Sequence, residues 1–460
     1  MTTTTAPPAA PQARPLDRHH RLVTVALLAL VTGTAYEAVG VGLAMPTVVA
    51  DLDGTTLYPV AVMGAVTAQV VGLVVGGRWT DARGLRAPTY AGGAVFTLGL
   101  LVSGLAGSMP VLVAGRLVQG LGAGVVLVAL YVVVARAFPA HLHLRVFSLF
   151  AAAWVLPAVL GPAVTGALIH ALGWRSVFLA VAALTAVALV LLGLGLRRLP
   201  DPEPRPLRWG RRPLLAVVVA AGALGLHLAG QLTGFRAVVL VLVAAVAVVV
   251  TAPRLLPSGT YRGRPGLPAV VLMRGVTGAA FMGMETLMPL LLQRERGLSP
   301  LVAGLVMTSG ALGWSAASER VGRISDPGRY AAWLRGGAAT LVAGAAASVA
   351  LVAVAGWAVA GPVLGVASCL LLGLGMGTVS PVLSTLALEH AEDGAGGDAA
   401  SSLQLSDVLL QGVVAGLTGL VFAPWVVAAP HTAYLAGFVP ALVLAVVAVR
   451  LAPRCVGPTR

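Results

Sequence analysis

The sequence predicts an all-α polytopic membrane protein with fourteen transmembrane helices. Three observations carry that expectation. Hydrophobic residues make up 58% of the chain and charged residues 10%, with a mean hydropathy of +0.94; no water-soluble domain of this length has that balance. The apolar residues fall in continuous runs of about 20, the length a helix needs to cross a bilayer, and not in the alternating segments of about ten that a membrane barrel uses. The arginines collect on one side of those runs.

Residues 1–20 are rich in Thr, Ala and Pro and end in a basic cluster, which reads as a disordered, uncleaved cytoplasmic tail. Six spans follow, at 22–45, 57–77, 87–107, 109–133, 145–169 and 174–196, and make an N-terminal bundle over 21–196. An Arg/Pro-rich stretch, Arg197 to Arg212, opens a linker over 197–266. It carries two further spans at 213–232 and 236–252, in which His227 and Gln231 read as ordinary interior polar residues. The last six spans, at 268–292, 300–318, 335–357, 360–388, 400–424 and 432–452, make a C-terminal bundle over 267–452. Residues 453–460 are left as a second cytoplasmic tail.

The positive-inside rule orients this arrangement. With both termini in the cytoplasm, 24 arginines fall in inner segments. Only Arg175, Arg236, Arg294 and Arg296 fall outside, and Arg116 and Arg274 lie within spans. The net charge of +14 is therefore spread over short loops on one face, which argues against a nucleic-acid surface. All 30 basic residues are arginine and the chain has neither Lys nor Asn. We read that as genomic base composition, with a bacterial cell membrane as the location. Cys369 and Cys455 imply neither a disulfide framework nor a metal site.

A stretch between the second and third spans has a counterpart downstream. Gly76-Gly-Arg-Trp-Thr-Asp-Ala-Arg-Gly-Leu-Arg86 and Gly322-Arg-Ile-Ser-Asp-Pro-Gly-Arg329 share a Gly-Arg-apolar-small-Asp core, 245 residues apart. Both read as polar loops, and two loops of one design point to two related halves. Glycine permits close approach, and an Asp can sit against a helix N-terminus or an arginine. Gly77, Asp81, Arg83, Gly84 and Arg86, with Asp326 and Arg329, are thus candidate gating residues.

Charges within the spans cost about 2.5–3.5 kcal/mol each on insertion scales and need a partner or a wet cavity. Glu37 sits mid-span. Arg116, about seven residues into its own span from the far side, lies at similar depth, and the two are expected to interact. Adding the repeat offset to Glu37 lands at 282, one helical turn from Glu285, so each half carries a carboxylate in its first helix. Arg274 and Asp407 each lie about seven residues into a span and either pair with each other or snorkel to the interface. Glu37, Arg116, Glu285 and Asp407 are the candidate proton-coupling residues. The Gly-x-Gly-x-Gly runs Gly120–Gly124 and Gly373–Gly377 have no strand before them. They read as close helix packing rather than nucleotide binding. No cofactor motif or catalytic constellation is present, which argues against an enzyme.

Together these features resemble the major facilitator superfamily, and within it the drug:proton antiporters of fourteen spans. The stretch Gly77 to Arg86 is similar to the superfamily's motif A, and Arg116-Leu-Val-Gln119-Gly120 to its motif B. Gly161-Pro162-Ala-Val-Thr-Gly166 is similar to the antiporter motif C. Glu37 with Leu43-Ala-Met-Pro46, Gly173-Trp-Arg-x-x-Phe178 and Gly297-Leu-Ser-Pro each resemble further family segments. The resemblance implies the major facilitator fold, with two six-helix bundles and two extra central spans. It also implies gate residues at Asp81, Arg83 and Arg86, and a link to proton transfer at Arg116. The expected function is export of small amphipathic or lipophilic compounds, driven by the proton gradient without a cofactor. The expected partners are a small-molecule substrate and the lipid bilayer, with the chain acting as a monomer. A dedicated exporter of one metabolite or lipid, or a proton-coupled importer, is the alternative.

Overall fold

The computed structural model describes residues 15–457, apart from 19, 198, 200–204, 208, 230, 231, 233, 325, 354–359 and 427, and apart from the side chains of 227, 360, 420, 423 and 424. Most of the expected N-terminal tail, Gln231 and the side chain of His227 therefore lie outside the described residues. Fifteen α-helices are described: α1 Arg21–Asp51, α2 Tyr58–Arg83, α3 Arg86–Gly104, α4 Met109–Ala137, α5 Ala140–Ala153, α6 Val155–Leu172, α7 Arg175–Leu196, α8 Arg212–Ala229, α9 Phe235–Leu255, α10 Leu267–Leu290, α11 Pro300–Val321, α12 Tyr330–Ala353, α13 Ala360–Glu389, α14 Gly396–Trp425 and α15 Pro430–Cys455.

Helices α5 and α6 form one crossing, interrupted at Trp154. Pro157 explains the break: it lacks an N–H, and its ring crowds the carbonyl four residues back, at Ala153. The described chain therefore crosses fourteen times. Eleven of the crossings are long and apolar enough to span a bilayer by composition alone. Helices α3, α8 and α14 complete the set, and α14 carries Gln404, Asp407 and Gln411 along it.

Several helices run past their expected bounds, α1 to Asp51, α4 to Ala137, α12 from Tyr330 and α15 to Cys455 among them, and the difference that matters most is at α2. Residues 78–83 are the last turns of α2, not a loop. Nothing in Arg-Trp-Thr-Asp-Ala-Arg breaks a helix, and the Thr80 hydroxyl donates back to the Gly76 carbonyl at 2.7 Å. Gly84, at φ 78°, stops the helix, and only Gly84 and Leu85 join it to α3.

Helices α1–α7 form one bundle and α10–α15 the other, while α8 and α9 pack on each other and α8 leans on α2 and α14. The glycine triplets set the packing inside each bundle. A Cβ on Gly120 or Gly124 would collide with the backbone of α2 at Ala65 or Gln69, and one on Gly122 with α3 at Phe96. In the second bundle, Gly373 and Gly377 stand in the same way against α11 at Gly310 and Trp314, and Gly375 against α12 at Leu341. Lipid is as apolar as leucine, so helices associate in a membrane by approaching closely, and small residues permit that.

The apolar core divides three ways. The largest cluster joins both bundles at the arginine-rich end, with Leu27, Val74, Tyr131 and Phe147 from one half and Val270, Leu383, Leu386 and Leu403 from the other. Toward the opposite end each bundle has a core of its own, around Met45, Phe96 and Phe178 in the first and Met284, Met288 and Phe438 in the second. The halves meet at the basic end and part above it.

Candidate functional site

In the first bundle the charged pair lies between α1 and α4. The Arg116 guanidinium is ion-paired to the Glu37 carboxylate. Its Nε donates to the Ala61 carbonyl at 3.1 Å and its Nη1 to Gln119 Oε1 at 2.9 Å. Arg116 and Gln119 are buried and one turn apart, so both face α1 and α2. A second contact braces the same turn of α1: the Thr165 hydroxyl on α6 donates to Tyr36 Oη at 3.0 Å. Helix α6 buries only Pro157, Gly161 and Thr165, a strip spaced by four, and a Cβ on Gly161 would stand 3.1 Å from Val39 on α1. The segment Gly161–Gly166 thus seats α6 on the turns flanking Glu37, with Pro162 and Gly166 on its exposed side.

The second bundle holds its own pair. Arg274 on α10 donates through Nε to Asp407 Oδ2 at 2.9 Å and reaches the same oxygen through Nη2 at 2.8 Å. Ser380 on α13 accepts from Arg274 Nη1, and Gln411 donates to Asp407 Oδ1 at 2.6 Å. The two residues pair rather than snorkel. Glu285, one long stretch further along α10, stands elsewhere. It lines a small pocket, with room for about one water, alongside Phe281, Met284, Met288, Met307, Gly310, Cys369 and Leu372, and makes no hydrogen bond or ion pair among the described residues.

At the basic end the halves are latched. Asp81, in the last turn of α2, accepts from the backbone N–H groups of Gly397 at 2.7 Å and Asp398 at 2.9 Å. These are orphan donors of the first turn of α14, whose own N-cap, Ala395, has no side chain to satisfy them. Gly77 permits the approach, since a Cβ there would lie 2.8 Å from the Gly397 carbonyl. Arg86 ties α3 to the end of α7, donating to the carbonyls of Leu196, Arg197 and Leu199. Arg83 is exposed. The downstream copy behaves differently. Helix α11 ends at Val321, so Asp326 falls in the turn beyond it and accepts from the Gly328 N–H at 2.9 Å, with Arg329 exposed beside it. The cross-half contacts there come instead from Arg145, which donates to the Glu319 carbonyl at 3.3 Å, and from Gly322 set closely against Ser148. Tyr131 and Ser384 close the same end, oxygen to oxygen at 3.1 Å.

This arrangement of paired bundles is shared with known proteins. The profile of the Major Facilitator Superfamily matches residues 25–413. The chain belongs to the major facilitator superfamily. Within it, the chain is 31% identical over 403 residues to a probable multidrug-efflux transporter of Mycobacterium tuberculosis, covering 82% of each protein. It is 23% identical over 316 residues to the multidrug efflux pump SdrM of Staphylococcus aureus, covering 66% of this chain and 69% of that one. Among solved structures of the superfamily, the fold matches the proton:xylose symporter XylE with a TM-score of 0.68 at 15% identity, over 93% of this chain and 94% of that one. The human organic anion transporter MFSD10 matches with a TM-score of 0.67 at 16% identity, over 95% and 99%. The protein is therefore a multi-pass membrane transporter of this superfamily and not an enzyme.

Several site residues escaped the sequence reading. Ser380 and Gln411 complete the Arg274–Asp407 network, and Tyr36 and Thr165 brace Glu37. The signal for Gln411 was available: it lies four residues after Asp407 on the same helix face. Ser380 had none, because its partner lies 106 residues away.

Proposed function

We propose that this transporter exports small amphipathic or lipophilic compounds from a bacterial cytoplasm across the cell membrane, as a monomer exchanging cargo for protons. The observation that carries the reading is the Glu37–Arg116 pair, a carboxylate held at mid-membrane depth between α1 and α4. A carboxylate there exchanges one proton for one ion-pair contact, and that exchange is what couples a proton to a change of packing. The efflux relatives support the direction of transport. The excess of arginine at the latched end supports a cytoplasmic assignment for that end and for both termini. With that end closed, Glu37 takes its proton from outside, the hold on Arg116 weakens, the latch at Asp81 releases, and the proton leaves inward.

The test is proton release in everted membrane vesicles on addition of candidate drugs. Wild-type vesicles are expected to lose part of their pH gradient, and Glu37→Gln vesicles to keep it. Drug movement without proton movement in the wild type would overturn the coupling and leave the fold intact.

A further inference from the structure

Each bundle holds a buried arginine–carboxylate pair, and the two pairs are anchored differently. Around Glu37 and Arg116 the further partners, Ala61 and Gln119, belong to the same bundle. Arg274 and Asp407 head a longer chain that ends in the other half. Arg274 Nη1 donates to the Ser380 hydroxyl on α13. One turn on, Ser384 Oγ donates to the Ser380 carbonyl at 3.0 Å and lies 3.1 Å from Tyr131 Oη on α4. A hydroxyl has one proton to give, and Ser384 gives its own to Ser380, so Tyr131 is the donor to Ser384. Tyr131 and Ser384 are both buried.

The turn that joins these contacts is a weak place in α13. Pro381 lies inside it and lacks the N–H that would bond the Gly377 carbonyl. The Ser318 hydroxyl on α11 takes that carbonyl instead, at 2.9 Å. Ser384 and Thr385 turn their hydroxyls back onto the carbonyls of Ser380 and Pro381, each at 3.0 Å, a pattern that bends helices. A turn that lacks part of its own ladder is deformable. Its shape is set by what holds it from either side, Arg274 from the ion pair and Tyr131 from the opposite half. An arginine does not give up its proton, so this chain conducts none. It transmits position.

Tyr131 is placed for that. Its ring lies against Phe147 of its own bundle, centroids 4.8 Å apart, within the apolar cluster that joins the halves, and its hydroxyl reaches α13. Parting of the halves at the basic end withdraws that hydroxyl from Ser384.

We propose that Tyr131 is a positioning residue of the transport cycle: through Ser384 and the Pro381 turn it makes the Arg274–Asp407 contact depend on closure of the basic end, so that the pair loosens when the halves part there. This rests on the alternating-access part of the reading above, and on neither its cargo nor its proton.

The experiment uses the full-length protein in detergent micelles at one fixed pH, with two readouts. Spin labels at the exposed residues Ala87 and Glu392 report opening of the basic end. Dicyclohexylcarbodiimide, which modifies protonated carboxyls and spares ion-paired ones, reports the pair through the extent of Asp407 modification, read by peptide mass spectrometry. Tyr131→Phe keeps the ring and removes the donor. It is expected to raise the open population and Asp407 modification together, each about fivefold, the effect of one hydrogen bond. Ser384→Ala, which removes the acceptor, is expected to do the same. In a Ser380→Ala background the turn no longer touches Arg274. There Tyr131→Phe is expected to open the basic end as before and to add nothing to Asp407 modification. Opening without a rise in Asp407 modification would overturn the link. So would unchanged distances in both Tyr131→Phe and Ser384→Ala, or a rise that survives Ser380→Ala in full, since simple exposure of Asp407 would then explain it. The vesicle assay separates the two readings. Vesicles that release no protons while Asp407 still answers to Tyr131 would end the coupling and leave the link standing. Proton release with Asp407 indifferent to Tyr131 would end the link alone.

Discussion

A mid-membrane ion pair is worth less as stabilisation than as a constraint, because desolvating both charges offsets most of their attraction. Glu37 and Arg116 illustrate this. Removing one partner leaves the other unneutralised among buried neighbours, and such one-sided losses cost about 3–5 kcal/mol. Removing both charges leaves neither side chain with an unneutralised charge to bury. Arg116→Met and Glu37→Gln are each expected to lower the melting temperature in micelles, and the double variant to melt higher than the sum of the two losses implies. A double variant whose loss equals that sum would show that the two side chains do not stabilise one another. Both residues were legible in the sequence, because a charge inside an apolar run is conspicuous and depth follows from counting 1.5 Å per residue. The bracing side chains were not legible, since a Tyr, Thr or Ser in an apolar helix has the same pattern whether or not it meets a partner.

Among the helices, the fourteen crossings were readable from apolar run length, and the helix contacts from glycine spacing. What escaped was where helices end. Helix α2 runs six residues past its apolar run because polar residues in its last turns meet protein rather than lipid, and hydropathy does not report that. The difference decides function: it places Asp81 on a helix that touches α14, while Asp326, past the end of α11, serves only its own turn. Element packing also makes a sharp prediction. Gly120→Val and Gly373→Val push a side chain into facing backbone at equivalent crossings, and each is expected to cost about 1–3 kcal/mol or more by overpacking. A Cβ on Gly166 would meet nothing within 4 Å, so Gly166→Ala is expected to fold with wild-type yield. Comparable folded yields for all three by fluorescence-detected size exclusion would refute the packing argument.

The whole molecule is held in one of its states by contacts at a single end. Asp81 acts as an N-cap in trans for α14, and a cap of that kind contributes about 1–2 kcal/mol, with some help from the helix dipole. The inserted segment reinforces the same end. The Arg205 N–H donates to the Ala82 carbonyl at 2.8 Å, Arg78 donates to the Trp209 carbonyl at 3.3 Å, and Arg212 at the start of α8 pairs with Asp398 at 2.5 Å. The extra pair of spans is thus tied both to α2 and to α14, on either side of the latch. Since about 1.4 kcal/mol changes a two-state ratio tenfold, losing the cap shifts the balance of access states by about that factor. Asp81→Asn keeps the shape and weakens the acceptor, and Arg212→Ala releases only the insert. Spin labels at Ala87 and Glu392 report the basic end, and labels at Leu105 and Ser299 the other; Cys369 and Cys455 are buried and do not compete for labelling. Asp81→Asn is expected to raise the population with long distances at the basic end and short ones at the other, and Arg212→Ala to do so more weakly. Unchanged distance distributions in Asp81→Asn would mean that the apolar cluster shared by the two halves, and not the latch, holds this state.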